Sequence, residues 1–202
     1  MVHIPQPEQG SWYITVDPAG FSEADASSSK YANLDETAIS AVKVGETGWY
    51  VGEIQHGRWD VRETAIRILR TAQKYQPVAV GIEKGSLKNA LMPYLQDNML
   101  RLNTFPNIAE VTHGGKKKID RIVWALQGRL EHGRLYVPND PDLEWLIHLK
   151  DQMADFPNPL AHDDLLDSLA YVDQLATTIY RPDRFDSVLL DQWEVLDEVS
   201  GY

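Results

Sequence analysis

The first half of the chain carries short apolar runs of the length expected for β-strands. Trp12–Asp17, Thr37–Val44 and Trp49–Ile54 are rich in β-branched and aromatic residues. A turn at residues 45–48, with glycine at both ends, joins the last two runs. The pattern therefore predicts an antiparallel meander of three strands.

A second kind of strand follows at Val78–Glu83, which has no charge until its last residue. Such a run is typical of an interior strand that is buried on both faces. Ile108–Thr112 predicts a further strand, and Arg134–Pro138 a brief extended piece.

Helical periodicity predicts five helices, over residues 60–75, 87–102, 117–131, 142–153 and from about 164 to 180. In the third helix the residues expected to face inward are Ile119, Ile122, Val123, Leu126 and Leu130. In the fourth helix the apolar residues are Leu143, Leu146, Ile147 and Leu149. The element order predicts an α/β fold with a central mixed sheet flanked by helices.

Length and composition indicate one ordinary domain. The 202 residues are 43% hydrophobic and 24% charged. The chain contains no cysteine, which excludes disulfides and thiolate metal sites. No apolar run is long enough to cross a bilayer, and no signal-peptide pattern occurs, so an intracellular soluble protein is expected. We divide the chain into a lead-in (1–10), a domain (11–181) and an acidic tail (182–202).

The net charge of −11 argues at first against a nucleic-acid partner. Much of this charge lies in residues 183–202, which hold six acidic residues against one arginine. A basic stretch, Lys116–Lys118 with Arg121, lies elsewhere. The distribution is therefore compatible with a basic rim that faces DNA.

Two predicted strands end in an acidic residue, Asp17 and Glu83. A carboxylate at the end of a strand is a common catalytic placement in α/β folds. Asp17 would equally suit a turn at the strand end, and Glu83 the start of the next helix. The repetition of the pattern favours a shared site.

An almost wholly apolar helix has three acidic residues at its N-terminal end, Asp163, Asp164 and Asp167. Neighbouring carboxylates beside a buried surface repel each other unless a cation or hydrogen bonds neutralise them. Capping of the helix would account for Asp163 alone. If the first and the buried strand are neighbours and this helix packs over their ends, all the acids converge. Oxygen ligands of this kind favour two Mg²⁺ or Mn²⁺ ions.

The order and spacing of several short motifs resemble the nuclease domain of the large terminase, the DNA-packaging motor subunit of tailed bacteriophages. The motifs are Val16–Gly20, Gly81–Glu83, Gly115–Lys117 with Arg121, Gly133–Leu135 and His162–Ala170. The resemblance covers most of residues 11–180. It implies a ribonuclease-H-like fold, related to Holliday-junction resolvases. The implied activity is metal-dependent endonucleolytic cutting of concatemeric double-stranded viral DNA during packaging, with low sequence specificity.

The resemblance also implies a metal-binding catalytic set, which maps onto Asp17, Glu83 and the Asp163–Asp164 pair. It leaves open which member of the pair binds metal directly, and Asp167 is a further candidate. The residues proposed to contact phosphate are Lys116, Lys117, Lys118 and Arg121, with Lys84 and Arg58 as additional candidates. A solvated helix start would explain any single one of these lysines equally well.

One departure from the family is the absence of a Gly-x-x-x-x-Gly-Lys-Ser/Thr loop, so this chain carries no ATPase motif. We therefore expect a fragment or a stand-alone nuclease. The implied partners are double-stranded DNA, the terminase ATPase domain, the small terminase subunit and the portal, in the host cytoplasm and without a membrane. Two alternatives remain open: a resolvase-like or other ribonuclease-H-like nuclease, and a non-catalytic module for DNA binding or assembly.

Overall fold

The computed structural model describes residues 9–19, 36–112, 115, 117–158 and 161–179. Most of the predicted lead-in, the loop at 21–35, Lys116 and the acidic tail lie outside these residues.

Among the described residues, a mixed sheet of six strands forms the centre of the fold. The strands are β1 (Ser11–Asp17), β2 (Thr37–Gly45), β3 (Gly48–Gly57), β4 (Ala79–Glu83), β5 (Ile108–Val111) and β6 (Leu135–Tyr136). Their order in the sheet is β5-β4-β1-β2-β3-β6. The predicted meander β1–β2–β3 is confirmed as antiparallel. The parallel pairs are β1–β4, β4–β5 and β3–β6, so the uncharged strand β4 is interior, as its sequence predicted.

Within the described part of the chain, five helices cover the two faces of the sheet. They are α1 (Val61–Tyr75), α2 (Ser86–Leu102), α3 (Lys118–Glu131), α4 (Glu144–Asp155) and α5 (Asp164–Ile179). Apolar residues of α1 and α2 pack on one face, and those of α3, α4 and α5 contribute to the core on the other. None of the described helices combines the length and the apolar character that a membrane span requires.

The inward face predicted for α3 is partly wrong. Ile122 and Leu126 are buried, but Ile119, Val123 and Leu130 are 41%, 37% and 47% exposed. Ile147 of α4 is exposed as well. The physical reason is that α3 packs mainly against α5 and buries only a narrow stripe.

Hydroxyl groups attach α5 to the sheet. The Thr15 Oγ1 hydroxyl donates to the carbonyl oxygen of Ser168 (2.7 Å), and the hydroxyls of Ser40 and Ser168 are 2.6 Å apart. All three residues are fully buried. A polar side chain in such a place needs a partner, and each of these supplies one to another. The contacts fix the first turns of α5 over β1 and β2.

Gly81 of β4 allows α5 to approach the sheet closely. A Cβ atom at this position would lie 3.0 Å from Val111 Cγ1 and 3.2 Å from Leu175 Cδ2. Both neighbours belong to the core, and Leu175 lies in the second half of α5. A side chain at position 81 would therefore push α5 away from the strand.

We predict that Gly81→Ala lowers the free energy of unfolding by about 1–3 kcal/mol, the usual cost of overpacking a core. Thermal unfolding should show a decrease in Tm of about 2–4 °C for each kcal/mol in a domain of this size. The matched control is Gly128→Ala in α3, where a Cβ meets nothing within 4 Å. This control should gain about 0.5–1 kcal/mol, because glycine is unfavourable inside a helix. Equal Tm changes for the two variants would contradict the close approach of α5.

Candidate active site

Asp17 and Glu83 end two adjacent strands at the same edge of the sheet. β1 and β4 are parallel, and Val16 pairs with Ile82, so the next residue on each strand carries one of the two carboxyls. The Asp17 carboxyl, when protonated, donates a hydrogen bond to the Glu83 carboxylate. The structure therefore brings together the two strand-end acids that the sequence analysis singled out.

Asp167 of α5 acts on Asp17. Burial raises the pKa of Asp17 well above its ordinary value, and the charge of Asp167 is the next largest cause of the increase. Lys118 lowers the pKa of Asp17 in part, while the charge and the hydrogen bond of Glu83 raise it further. Carboxylates that crowd together make the removal of another proton costly. The carboxyl groups at this end of the sheet therefore favour the binding of a proton or another cation.

A buried arginine holds Asp167 in place. The Arg121 Nε atom donates to Asp167 Oδ1 at 3.1 Å, and its Nη2 atom donates to the same oxygen. The guanidinium also lies 4.6 Å from the ring centre of Tyr171. Burial lowers the pKa of Arg121, but the hydrogen bond and charge of Asp167 outweigh it, so the pKa is raised. The buried Arg121 guanidinium consequently fixes the orientation of the Asp167 carboxyl group.

Lys118 contacts two aspartates from the solvent side, Asp163 just before α5 and Asp167 within it. Its Nζ atom is 2.7 Å from Asp163 Oδ1 and 3.4 Å from Asp167 Oδ2. Burial lowers the pKa of Lys118, and the hydrogen bond to Asp163 with the charges of Asp167, Asp163 and Asp17 raises it by more. Lys118 therefore stays protonated and balances part of the negative charge.

Asp164 faces a different neighbour. Its buried Oδ2 atom accepts a hydrogen bond from the Glu36 backbone N–H (3.1 Å), just before β2. His162 Nδ1 is 3.7 Å from the same oxygen. The Glu36 side chain pairs with His56 Nδ1 at 2.8 Å. Asp163 and Asp164 thus point to separate partners, and Asp167 is the aspartate of α5 that acts most strongly on Asp17.

Sequence reasoning missed three supporting residues. Gln152 of α4 accepts hydrogen bonds from the backbone N–H groups of Leu165 (3.0 Å) and Leu166 (3.4 Å) at the start of α5. Glu36 anchors Asp164, and Ser168 attaches α5 to the sheet. Ser168 gave a usable signal, because it is a polar residue inside an apolar helical run. Gln152 and Glu36 gave none, because their roles depend on contacts between distant segments.

The predicted phosphate contacts divide into two groups. One group is exposed and consists of Lys84, Arg58 and Lys117. Lys84 directly follows Glu83 at the end of β4, and Arg58 directly follows Gly57 at the end of β3. Lys117 comes five residues after Thr112, and these strand ends lie on the side of the sheet that carries Asp17. The prediction that Arg121 contacts phosphate must be corrected. Arg121 is only 6% exposed, and its guanidinium is engaged by Asp167 and Tyr171. It is not placed to contact a phosphate. Lys116 lies outside the described residues.

The donor set agrees with the predicted divalent ions in chemistry and charge. Asp17, Glu83 and Asp167 supply carboxylate oxygens, the ligand type that Mg²⁺ and Mn²⁺ prefer. The raised pKa of Asp17 indicates a surplus of negative charge that a cation would relieve. Within the described residues, however, no group of three or more histidine, aspartate or glutamate side chains is arranged so that it could hold a metal ion. Asp163 and Asp167 are instead engaged by Lys118 and Arg121.

Comparison with known proteins gives one family. The sequence profile described as the terminase RNaseH-like domain matches residues 14–173. Among curated proteins, none matches this chain. The human cytomegalovirus terminase nuclease domain, Mn-soaked and inhibitor-bound, has a similar structure with a TM-score of 0.56 and 12% identity, over 83% of this chain and 84% of that one.

A second similar structure is the large terminase of a thermophilic bacteriophage in complex with ADP. It matches with a TM-score of 0.54 and 10% identity, over 83% of this chain and 40% of the phage chain. At such identities the likeness concerns the fold. Together with the family match, it confirms the predicted α/β fold of the ribonuclease-H-like type.

We predict that Asp17→Asn raises the Tm of the protein at neutral pH in the presence of EDTA. An acid whose pKa is raised in the folded state stabilises the fold below its unfolded pKa, and this stabilisation is lost as the pH rises through the folded pKa. Asparagine stays neutral throughout. The Tm difference should therefore be clear at pH 7–8 and shrink toward pH 4, near the ordinary pKa of aspartate.

The control for this prediction is Asp60→Asn. Asp60 caps α1 by accepting from the Glu63 N–H (2.7 Å), and asparagine caps helices equally well. Its Tm should follow that of the wild type at every pH. A Tm of Asp17→Asn below that of the wild type at pH 8 would contradict the crowding of carboxyls around Asp17.

Proposed function

The chain belongs to the family of terminase RNaseH-like domains, and from this membership we propose that it is a metal-dependent endonuclease that cuts double-stranded viral DNA during genome packaging. The single observation that carries the proposal is the meeting of Asp17, Glu83 and Asp167 at one edge of the sheet. Three carboxyls converge there from segments far apart in the sequence, beside a buried surface that penalises their charge.

The proposed cofactors are two Mg²⁺ or Mn²⁺ ions. When bound, they supply charge stabilisation for the hydrolysis of a phosphodiester. Asp17 and Glu83 would hold them from the strand ends, and Asp167 with Asp163 or Asp164 from the helix side. Asp163 and Asp164 differ in their partners. Asp163 is engaged by Lys118, which remains partly exposed, whereas Asp164 is buried and accepts a hydrogen bond from a backbone N–H.

The surrounding residues position these carboxylates. Arg121 fixes the orientation of Asp167, and Gln152 fixes the start of the helix that carries it. Lys118 lies among Asp163, Asp167 and Asp17 with part of its side chain exposed, so it can face a phosphate of the substrate while it balances the carboxylates. Hydrolysis in such a site needs little contact with the bases.

The proposed DNA-binding surface consists of Lys84, Lys117 and Arg58, together with Lys118 and Lys116. Those described lie at or follow the edge of the sheet that holds the carboxyls, and Lys84 follows Glu83 directly. Lysine and arginine contacts to phosphate are independent of sequence and sensitive to salt. The surface therefore favours low sequence specificity.

We extend the proposal to the packaging process on the strength of the family alone. The chain corresponds to 40% of the length of the phage large terminase that it matches. An ATPase domain, a small terminase subunit and the portal would then be its working partners, in the cytoplasm of an infected or prophage-carrying host.

The experiment is incubation of supercoiled plasmid with the protein and Mn²⁺ or Mg²⁺. We predict nicking and linearisation by the wild type, no cleavage with EDTA, and a loss of at least about 100-fold in rate for Asp17→Asn and Glu83→Gln, because each removes a charged ligand of the ions. Asp60→Asn is the matched control and should cut like the wild type. Product is measured on agarose gels.

Several outcomes would contradict the proposal. Cleavage that persists in Asp17→Asn would remove this residue from the site. An inert wild type across metals and DNA forms would favour the non-catalytic module. Strong preference for a four-way junction over linear and plasmid duplex would favour a resolvase-like nuclease.

For DNA binding, we predict that Lys117→Ala and Lys84→Ala each weaken affinity for duplex DNA uniformly across sequences. Each should reduce the slope of log K against log salt by about 1, as expected for one lost phosphate contact. Fluorescence anisotropy at several salt concentrations measures the slope. The control is Arg101→Ala, which removes one exposed positive charge near the end of α2. An equal loss for Arg101→Ala would mean that only net charge matters.

A further inference from the structure

The two carboxyl oxygens of Asp167 are divided between two cations of α3. Arg121 donates to Oδ1, from Nε at 3.1 Å and from Nη2. The Nζ atom of Lys118 lies 3.4 Å from Oδ2. Since the Asp167 side chain is only 2% exposed, water would do little to stabilise a charge there, and cations are needed instead. A divalent ion that binds Asp167 therefore approaches an oxygen that already contacts a cation.

The two cations differ in how firmly they are held. The Arg121 side chain is 7% exposed, and its guanidinium also lies 4.6 Å from the ring centre of Tyr171. The Lys118 side chain is 40% exposed and belongs to the first residue of α3. A lysine ammonium is a compact charge on a flexible stem, and breaking an ion pair in contact with water costs less than breaking a buried one. Lys118 is therefore the cation that can leave.

The Lys118 ammonium lies where the candidate ligands converge. Its Nζ atom is 2.7 Å from Asp163 Oδ1 as well as 3.4 Å from Asp167 Oδ2. Its charge also lowers the pKa of Asp17, against the larger effects of burial and of Asp167, which raise it. One cation thus acts on carboxyl groups from the end of β1, from the residue before α5 and from α5 itself. Crowded carboxyl groups favour a cation among them, and in the structure that cation is the Lys118 ammonium.

An ammonium and a divalent ion cannot share the space between these two oxygens. Mg²⁺ binds carboxylate oxygens at about 2.0–2.1 Å, which is closer than either contact of Lys118. An ion that bridges Asp163 Oδ1 and Asp167 Oδ2 would take the place of the ammonium, and the like charges would repel each other. Among the described residues, no three or more histidine, aspartate or glutamate side chains are arranged to hold a metal ion. The contacts of Lys118 account for part of this arrangement, because they turn two of the carboxyl groups toward an ammonium.

We propose that Lys118 is an exchangeable counter-ion of the candidate active site, whose ammonium leaves Asp163 and Asp167 when a divalent ion binds there. Arg121 stays on the other oxygen of Asp167 and keeps the carboxyl group in place during the exchange. The exchange rests on the proposed function, which supplies Mg²⁺ or Mn²⁺ as the competing ion. Lys118 thereby weakens the binding of divalent ions to the free protein, and its released ammonium becomes available to a DNA phosphate beside the ions.

Calorimetric titration with MnCl₂ alone measures the effect of Lys118 on ion binding. We expect Lys118→Met to bind Mn²⁺ at least about fivefold more tightly than the wild type, because no ammonium has to leave before the ion enters. Methionine keeps an unbranched side chain without the charge. The matched control is Lys150→Met, which removes one exposed positive charge from α4 and should bind Mn²⁺ like the wild type. Equal tightening in both variants would mean that only net charge matters, and would overturn the exchange.

A second measurement follows Lys118 in the wild-type chain and does not depend on the folding of a variant. The protein is acetylated with a limiting amount of acetic anhydride, and the modification of each lysine is measured by mass spectrometry of peptides. The reagent needs a deprotonated amine, and an ammonium held between two carboxyl groups reacts slowly because they favour its charged form. We expect Lys118 to react several-fold faster with saturating Mn²⁺ than with EDTA, whereas the rate of Lys150 should not change.

The negative results separate this exchange from the proposed function. Equal Mn²⁺ affinity of the wild type and Lys118→Met, or an unchanged acetylation of Lys118 in the Mn²⁺-bound wild type, would overturn the exchange while the metal site stands. Mn²⁺ binding by neither protein would overturn both. Mn²⁺ binding by Lys118→Met alone would support the exchange, because the ammonium would then exclude the ion until it is removed.

Discussion

The placement of negative charge at the junction of α5 and the sheet is the constraint on which the site depends. Asp167 is almost fully buried, and Asp17 and Glu83 share a hydrogen bond beside it. Buried carboxylates are costly unless they are paired. Arg121 and Lys118 provide that pairing from α3, so the third helix is needed for the charge balance of the site as well as for the core. The fold and the candidate chemistry are therefore coupled through two cations.

Much of the architecture could be predicted because it follows from local patterns. The meander, the interior strand β4 and all five helices were visible in the spacing of apolar residues, with ends within a few residues of those observed. Two strands that each end in an acid favoured a shared site for Asp17 and Glu83, on the condition that the strands are neighbours, which they are. Contacts between distant segments were harder to predict from the sequence. No local pattern indicates that Gln152 completes the start of α5 or that Glu36 binds Asp164.

The errors share one physical origin. Arg121 was expected to contact phosphate because it follows three lysines, yet its buried guanidinium turns inward to Asp167. Ile119, Val123 and Leu130 were expected to face inward because of their period. Period shows that a helix has an apolar side, but not how much of that side a neighbouring element covers. Both errors concern α3, which packs mainly against α5 and contacts the sheet only at β6.

The hydroxyl contacts between α5 and the strands also affect how the site responds to motion. A buried hydrogen bond weakens steeply when its geometry changes. Thr15 and Ser40 therefore anchor the first half of α5, while Arg129 and Thr112 hold its second half through Asp173 and Gln174. Ser168 is next to Asp167, and Thr15 lies on the strand that ends at Asp17. The hydrogen bond between Thr15 and Ser168 therefore sets the spacing between two of the acidic groups.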